Sequence, residues 1–373
     1  MQKVCMLICL CLVMSCAFVS AQTSVNPDIS AIGVMQMYHH NESLRMDEYN
    51  KVNFDDPEVE VNINGYLNPY SRADIVFGWK GEDKADVEEA YATILRGLPL
   101  NANFRFGKYL LEFGRLNTTH PHAYSFIQRP LVQEQFFGEE GLSDMAMRAS
   151  FSVPTGEAFT EIMGGITKGD ALQGHHHDEA EAVETTDAIK RNLGFYGRVT
   201  TSIATSEFSE LALGGSFLSS VYGYSEDTIN TPKQLRSTFF GGDLKYKYKP
   251  SKYKSLQIES EIIIRNSDLD EDGKSLRSIG TYTYVDYRFN QKYNIGGIYE
   301  WLKIKDENHD LLVETVEEQV TKRIGLFVGF SPLEESSLVR LASYWTSPEN
   351  EKKYFETILQ FVFSLGPHNP HSF

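Results

Sequence analysis

Apolar and polar side chains alternate with a period of two along most of this chain, and helical periodicity is nearly absent. In Tyr354–Phe363, the residues Phe355, Leu359, Phe361 and Phe363 share one face. Glu356 and Gln360 lie on the other, with Tyr354, Ile358 and Val362. In Ile279–Phe289, the face of Ile279, Val285, Tyr287 and Phe289 opposes Tyr282, Tyr284, Asp286 and Arg288. In Leu256–Arg265, the face of Leu256, Ile258, Ile262 and Ile264 opposes Gln257, Glu259, Glu261 and Arg265. A strand carries charge on one side and grease on the other when one face meets water and one meets lipid. The alternation predicts about sixteen strands, each long enough to cross a hydrocarbon layer when tilted. They fall near 27–38, 59–67, 70–80, 87–97, 102–115, 145–153, 158–168 and 190–204. The second half follows at 209–223, 235–248, 254–267, 275–289, 292–305, 320–332, 336–347 and 353–365.

The connections alternate between short and long. The short ones are Asn68-Pro69, Leu98–Asn101, Pro154–Glu157, Thr205–Phe208, Pro250–Tyr253, Asn290-Gln291 and Pro332–Glu335, rich in turn-forming residues. The long ones, including 39–58, 116–144, 169–189, 224–234 and 306–319, carry many acidic residues. Short turns at one rim and long loops at the other predict an all-β fold, a transmembrane antiparallel β-barrel with periplasmic turns and extracellular loops. A soluble sandwich has no reason to sort its loops this way. A barrel this wide is not filled by its own wall side chains and is expected to hold an aqueous channel.

The first residues add export. Lys3 precedes an apolar run from Val4 to Val19, and Val19-Ser20-Ala21 suits cleavage before Gln22. Residues 1–21 are therefore read as a signal peptide and 22–373 as one barrel domain. The rival reading is a lipoprotein box, Val13-Met14-Ser15-Cys16, with lipid on Cys16. All four cysteines lie in the signal, which excludes a disulfide framework or thiolate site from the mature chain. Aromatics reach 12%, which suits interfacial girdles, and the formal net charge of −16 argues against a nucleic-acid partner.

Two stretches resemble a family of porin-like outer-membrane proteins, often labelled zinc-regulated outer-membrane receptors or porins. The first carries Gly107-Lys108, Phe113-Gly114-Arg115-Leu116-Asn117, His120-Pro121-His122, Arg129-Pro130-Leu131 and Phe137-Gly138-Glu139-Glu140-Gly141-Leu142. The second is the tail, Phe363-Ser364-Leu365-Gly366-Pro367-His368 and His371-Ser372-Phe373. Asn26-Pro27-Asp28-Ile29-Ser30 is similar to that family's opening. The resemblance covers about a quarter of the chain. It implies an outer-membrane barrel, with production under metal limitation as a further implication. By analogy with sixteen-stranded porins, the third long link, 116–144, is expected to fold inward and narrow the pore.

Three constellations are candidates for function. The third link holds His120, His122, Arg129, Glu134, Glu139, Glu140 and Asp144, which would set the field at a constriction. The alternative is that His120 and His122 pin the loop to neighbouring strands, or that they ligate metal. The run His175, His176, His177, Asp178, Glu179 and Glu181 could collect Zn²⁺ or another divalent transition metal at the pore mouth. Its alternative is a solvated acidic loop. The last residue, Phe373, is a candidate signal for the barrel-assembly machinery. No nucleophile elbow, H-E-x-x-H, P-loop or dinucleotide motif stands in the chain, so no enzyme is expected and no cofactor is required. The expected function is passive diffusion with a preference for cations. Metal acquisition is the alternative, outer-membrane lipid is the expected surrounding, and a homotrimer is compatible with the fold.

Overall fold

The computed structural model describes residues 27–41, 50–172, 193–224, 234–269, 274–308, 315–332 and 336–366. The signal segment, the run from His175 to Glu181 and the tail ending in Phe373 lie outside the described residues.

Seventeen strands form one antiparallel sheet. They are β1 (Asp28–His40), β2 (Val52–Phe54), β3 (Glu58–Asn68), β4 (Ser71–Lys80), β5 (Asp86–Ile94), β6 (Asn103–Leu110), β7 (Ser143–Thr155), β8 (Ala158–Thr167) and β9 (Gly194–Ser206). Then come β10 (Ser209–Tyr224), β11 (Gln234–Ser251), β12 (Lys254–Asp268), β13 (Ser275–Phe289), β14 (Tyr293–Asn308), β15 (Thr315–Phe330), β16 (Ser337–Pro348) and β17 (Tyr354–Leu365). From β3 onward each strand pairs with the next, and β1 pairs with β17 from Ala31↔Leu365 to His40↔Glu356. The sheet thus closes and leaves no free edge. β2 and β3 both pair with β1 and form one stave, interrupted at residues 55–57, so the barrel has sixteen staves.

The predicted segments match these strands, with instructive departures. The segment predicted as 102–115 leaves the wall after Leu110. There Phe113 N–H donates to the Leu111 carbonyl over 2.7 Å, a tight turn that directs the chain inward. Gly114 follows at φ +64, and a Cβ on it would meet the Glu261 carboxylate at 1.6 Å. The short β2 has too few residues to show an alternation. The sorting of loops has exceptions: residues 81–85 and 349–353 on the long-loop rim form shorter links than 95–102 on the other. The turn at Asn290 and Gln291 has φ of 56 and 57, the left-handed pair that matches strand twist in a tight hairpin.

The two faces divide as the alternation predicts. Glu259, Glu261, Tyr282, Tyr284, Asp286 and Gln360 are buried inside the barrel, while Ile262, Val285, Phe361 and Phe363 are exposed on its outer wall. Tyr287, Phe289, Tyr293 and Phe330 stack in sequence at the short-turn rim, with ring centroids 6.0, 5.4 and 5.0 Å apart. An apolar outer band with an aromatic rim is the surface a membrane-spanning barrel presents to lipid.

Candidate functional site: a loop seated inside the barrel

Residues 111–142 run through the barrel interior, with a 3-10 turn at Pro121–Ala123 and a short helix α1 (Leu131–Phe137). Apolar side chains hold the loop against one side of the wall. Phe126 meets Tyr284 edge-on at 5.0 Å and Phe327 at 6.2 Å. Phe113 and Phe137 pack on Phe239 at 6.3 and 5.4 Å. Together with Leu218, Ile263, Ile298, Leu302 and Ile358 they form a continuous core between the loop and β8–β17. A water-soluble protein would build such a core between layers; here the wall's inward face supplies one half of it.

Polar wall groups then satisfy the loop backbone, which has no strand partner of its own. Arg340 is fully buried and donates to the carbonyls of Tyr124, of Phe126 at 2.8 Å and of His122 at 3.1 Å, while Gln360 accepts from it at 2.8 Å. Arg323 pairs with Glu300 at 2.7 Å and donates to the Arg129 carbonyl at 2.6 Å. The other oxygen of Glu300 accepts from the Leu131 N–H at 2.6 Å, which satisfies an orphan donor at the start of α1. The Tyr344 hydroxyl accepts from the N–H groups of Ile127 and Gln128, both at 3.1 Å. Ser125 donates to Asp286 at 3.0 Å and Gln133 to Glu261 at 3.2 Å.

On the opposite side, the wall from β4 to β7 carries arginines that stay partly accessible. Arg72 pairs with Asp74 at 2.6 Å, with 27% of its side chain accessible. Arg105, 22% accessible, and Arg148 both bind Glu112 at the root of the loop, at 3.1 and 2.7 Å. The Arg105 guanidinium also lies 4.4 Å over the Tyr91 ring. Positive wall and negative loop face each other here, the arrangement that sets a transverse field in a channel.

His120 and His122 sit together at the long-loop end of β3–β5, their rings stacked at 5.7 Å. His120 Nδ1 lies 3.2 Å from Glu60 and 3.5 Å from Glu88, and its Nε2 lies 3.6 Å from Glu89. His122 Nδ1 lies 3.4 Å from the same Glu60 oxygen. Burial opposes charge on His120, but hydrogen bonds to Glu60 and Glu89 outweigh it and hold the imidazolium well above the ordinary histidine range.

The remaining sequence candidates take different places. Arg129 is buried and donates to Asn117 at 3.1 Å and to the Glu139 carbonyl at 3.2 Å, which ties the two ends of the loop together. Glu134, Glu139 and Glu140 are exposed. Asp144 is buried at the start of β7, where it accepts from Thr167 and from the Gly169 N–H at 2.7 Å. Thus, of the seven, His120 meets His122 ring to ring and Arg129 meets the Glu139 backbone. Arg72, Arg105, Arg148 and Glu112 were missed, although the alternation places Arg72 and Asp74, or Arg105 and Tyr109, on one face. Charge on an inward face was the available signal.

No family model matches the chain. A sequence from Aquifex aeolicus (strain VF5), named only as an uncharacterized protein, is 27% identical, covering 93% of this chain and 76% of its own length. The fold is that of the bacterial outer-membrane porins. OmpT of Vibrio cholerae, an outer membrane protein solved with loop L8 deleted, aligns with TM-score 0.58 at 9% identity over 91% of this chain and 99% of its own. The outer membrane channel DcaP of Acinetobacter baumannii gives 0.58 at 10% identity, over 93% and 99%. An anion-selective porin from Comamonas acidovorans gives 0.57 at 8% identity, over 91% and 100%.

Proposed function

We propose that this protein is a porin-like channel of the bacterial outer membrane, passing small solutes beside a loop that fills part of its lumen. The observation that carries the reading is the placement of residues 111–142. They pack against β8–β17 and leave the arginine-bearing wall of β4–β7 partly accessible. Outward, the apolar band suits lipid; inward, a charged and accessible wall suits water. Solved neighbours described as an outer membrane channel and an anion-selective porin support the same reading.

Selectivity follows from charge. The net charge of −16 and the carboxylates Glu58, Glu60, Glu88 and Glu89 around the long-loop end of the lumen favour cations. Arg72, Arg105 and Arg148, on the neighbouring strands β4, β6 and β7, oppose this, so the preference is modest. Insertion of the purified protein into a planar bilayer tests both claims. Step increases of current are expected, with a reversal potential under a salt gradient that favours the cation. Absence of steps from a folded protein removes the channel; a reversal potential of opposite sign removes the cation preference. Cross-linking in detergent separates monomer from trimer.

Metal acquisition, which the run from His175 to Glu181 suggested, has one observation in its favour among the described residues: the meeting of His120 with Glu60 and Glu88.

A further inference from the structure

We propose that Glu60, Glu88 and His120 form a binding site for a divalent transition-metal ion of the zinc type, at the long-loop end of the lumen. The ligand atoms of these three residues lie within 4.8 Å of one another. His120 Nδ1 is 3.2 Å from Glu60 Oε2 and 3.5 Å from Glu88 Oε2. Ligand atoms around a tetrahedral zinc ion, with bonds of about 2.0–2.1 Å, stand about 3.3 Å apart. The spacing therefore matches a ligand set before any ion enters. A divalent ion at that point would take the place of the Nδ1 proton, which otherwise bridges the ring to the two carboxylates. An imidazole ligand selects zinc-like ions over calcium or magnesium, which take oxygen.

Two independent features of the wall create the site. The first is a bulge in β5: Val76 pairs with Glu89 and Phe77 with Val87, so Glu88 is an extra residue on that strand. In a regular strand Glu88 and Glu89 would point to opposite faces. The bulge brings both toward His120, and bulges re-aim side chains in this manner beside functional sites. The second feature is Gly78 on β4, directly opposite Glu60 in the ladder. A Cβ there would meet Glu88 Oε1 at 1.6 Å, so the Glu88 carboxylate occupies the space that a side chain at Gly78 would fill. Only glycine leaves that path open.

An outer shell is present as well. Glu89 faces the far nitrogen of His120 at 3.6 Å, and its other oxygen accepts the Leu110 N–H at 2.8 Å. A carboxylate on the distal ring nitrogen fixes the ring and turns Nδ1 toward the ion. His122 Nδ1 lies 3.4 Å from Glu60 Oε2, beside the three-residue group rather than within it. The site exists whether or not the lumen conducts ions.

The test uses the full mature protein, refolded in detergent, with His175, His176 and His177 each changed to Asn so that this run cannot bind. Co²⁺ is titrated while visible absorption is followed, then Zn²⁺ is titrated by calorimetry. One ion per chain is expected, with the absorption of low-coordinate Co²⁺ that Zn²⁺ bleaches. His120→Asn and Glu88→Gln should each weaken binding about 100-fold, and Glu89→Gln about 10-fold, the scale on which outer-shell groups act. Gly78→Ala should weaken it as Glu88→Gln does, and Glu140→Gln should change nothing. Should a variant fail to fold, zinc protection of His120 from diethyl pyrocarbonate, read by mass spectrometry on the unmodified chain, decides in its place. No ion bound by the folded parent, equal affinity in His120→Asn and Glu88→Gln, or no protection of His120 would each overturn the site.

Discussion

Arg340 and Phe126 are joined across 214 residues of chain: the Arg340 guanidinium donates to the Phe126 carbonyl over 2.8 Å from inside the barrel wall. This arginine has no carboxylate partner among its described contacts. Its hydrogens go to three loop carbonyls and to Gln360. It is therefore a clamp on the loop, and its removal strands several buried acceptors.

Arg340→Met should loosen residues 120–127 without opening the sheet. Each buried acceptor left without a donor costs about 1–3 kcal/mol, less what entering water recovers. The expected outcome is a lower unfolding midpoint together with larger, noisier current steps. Unchanged steps and midpoint would show that Arg340 does not hold the loop.

Glu300 serves two partners, Arg323 at 2.7 Å and the Leu131 N–H at 2.6 Å. Glu300→Gln leaves a buried guanidinium without its counter-charge, which costs about 3–5 kcal/mol. The double variant Arg323→Met with Glu300→Leu should be less destabilised than Glu300→Gln alone, because no charge is left buried. Denaturant unfolding of the parent, Arg323→Met, Glu300→Leu and the double variant measures the coupling, and additive effects contradict it.

Arg105 and Arg148 share Glu112, so the wall opposite the loop carries excess positive charge at this point. Arg148→Gln should move the reversal potential under a salt gradient toward the cation, and Glu112→Gln should move it the other way. Shifts of the same sign in both variants would place these groups off the conducting path.

Ile262 lies mid-strand on the outer face of β12, 43% exposed. Ile262→Lys should cost about 2–4 kcal/mol of stability in a bilayer, the penalty for a cation at lipid depth. Its register partner on β13, Thr281, lies on the same face and at the same depth, so Thr281→Lys should carry a comparable penalty. Equal stability of Ile262→Lys and the parent in vesicles would mean that this face does not meet lipid.

The strands were legible because a half-wet, half-greasy wall imposes a pattern on every residue, as Glu259, Ile262 and Tyr284 show. Turns such as Asn290-Gln291 were legible because few residues tolerate their backbone. The inward course of the loop was anticipated only by analogy. Its exit at Leu110 was hidden, because Phe113 continues the period-two series of Tyr109 and Leu111 while packing on a different surface. The meeting of His120 with Glu60 and Glu88 was also hidden. Alternation assigns Glu88 and Glu89 to opposite faces, and only the bulge, which no local residue pattern announces, reunites them. Arg72, Arg105 and Arg148 become neighbours through pairing around the cylinder, a relation between strands rather than along them.

The seat of residues 111–142 has a consequence for biogenesis. Its anchors, Glu261, Glu300, Arg323, Arg340 and Tyr344, all emerge from the ribosome after it does. The segment is made before its berth exists, so Phe113, Phe126 and Phe136 stay uncovered until the later strands pair. Docking and circularisation then become nearly one event, slow because the joining residues are remote in sequence. A barrel halted before β15 would lack the moorings that Arg323, Arg340 and Tyr344 give this segment.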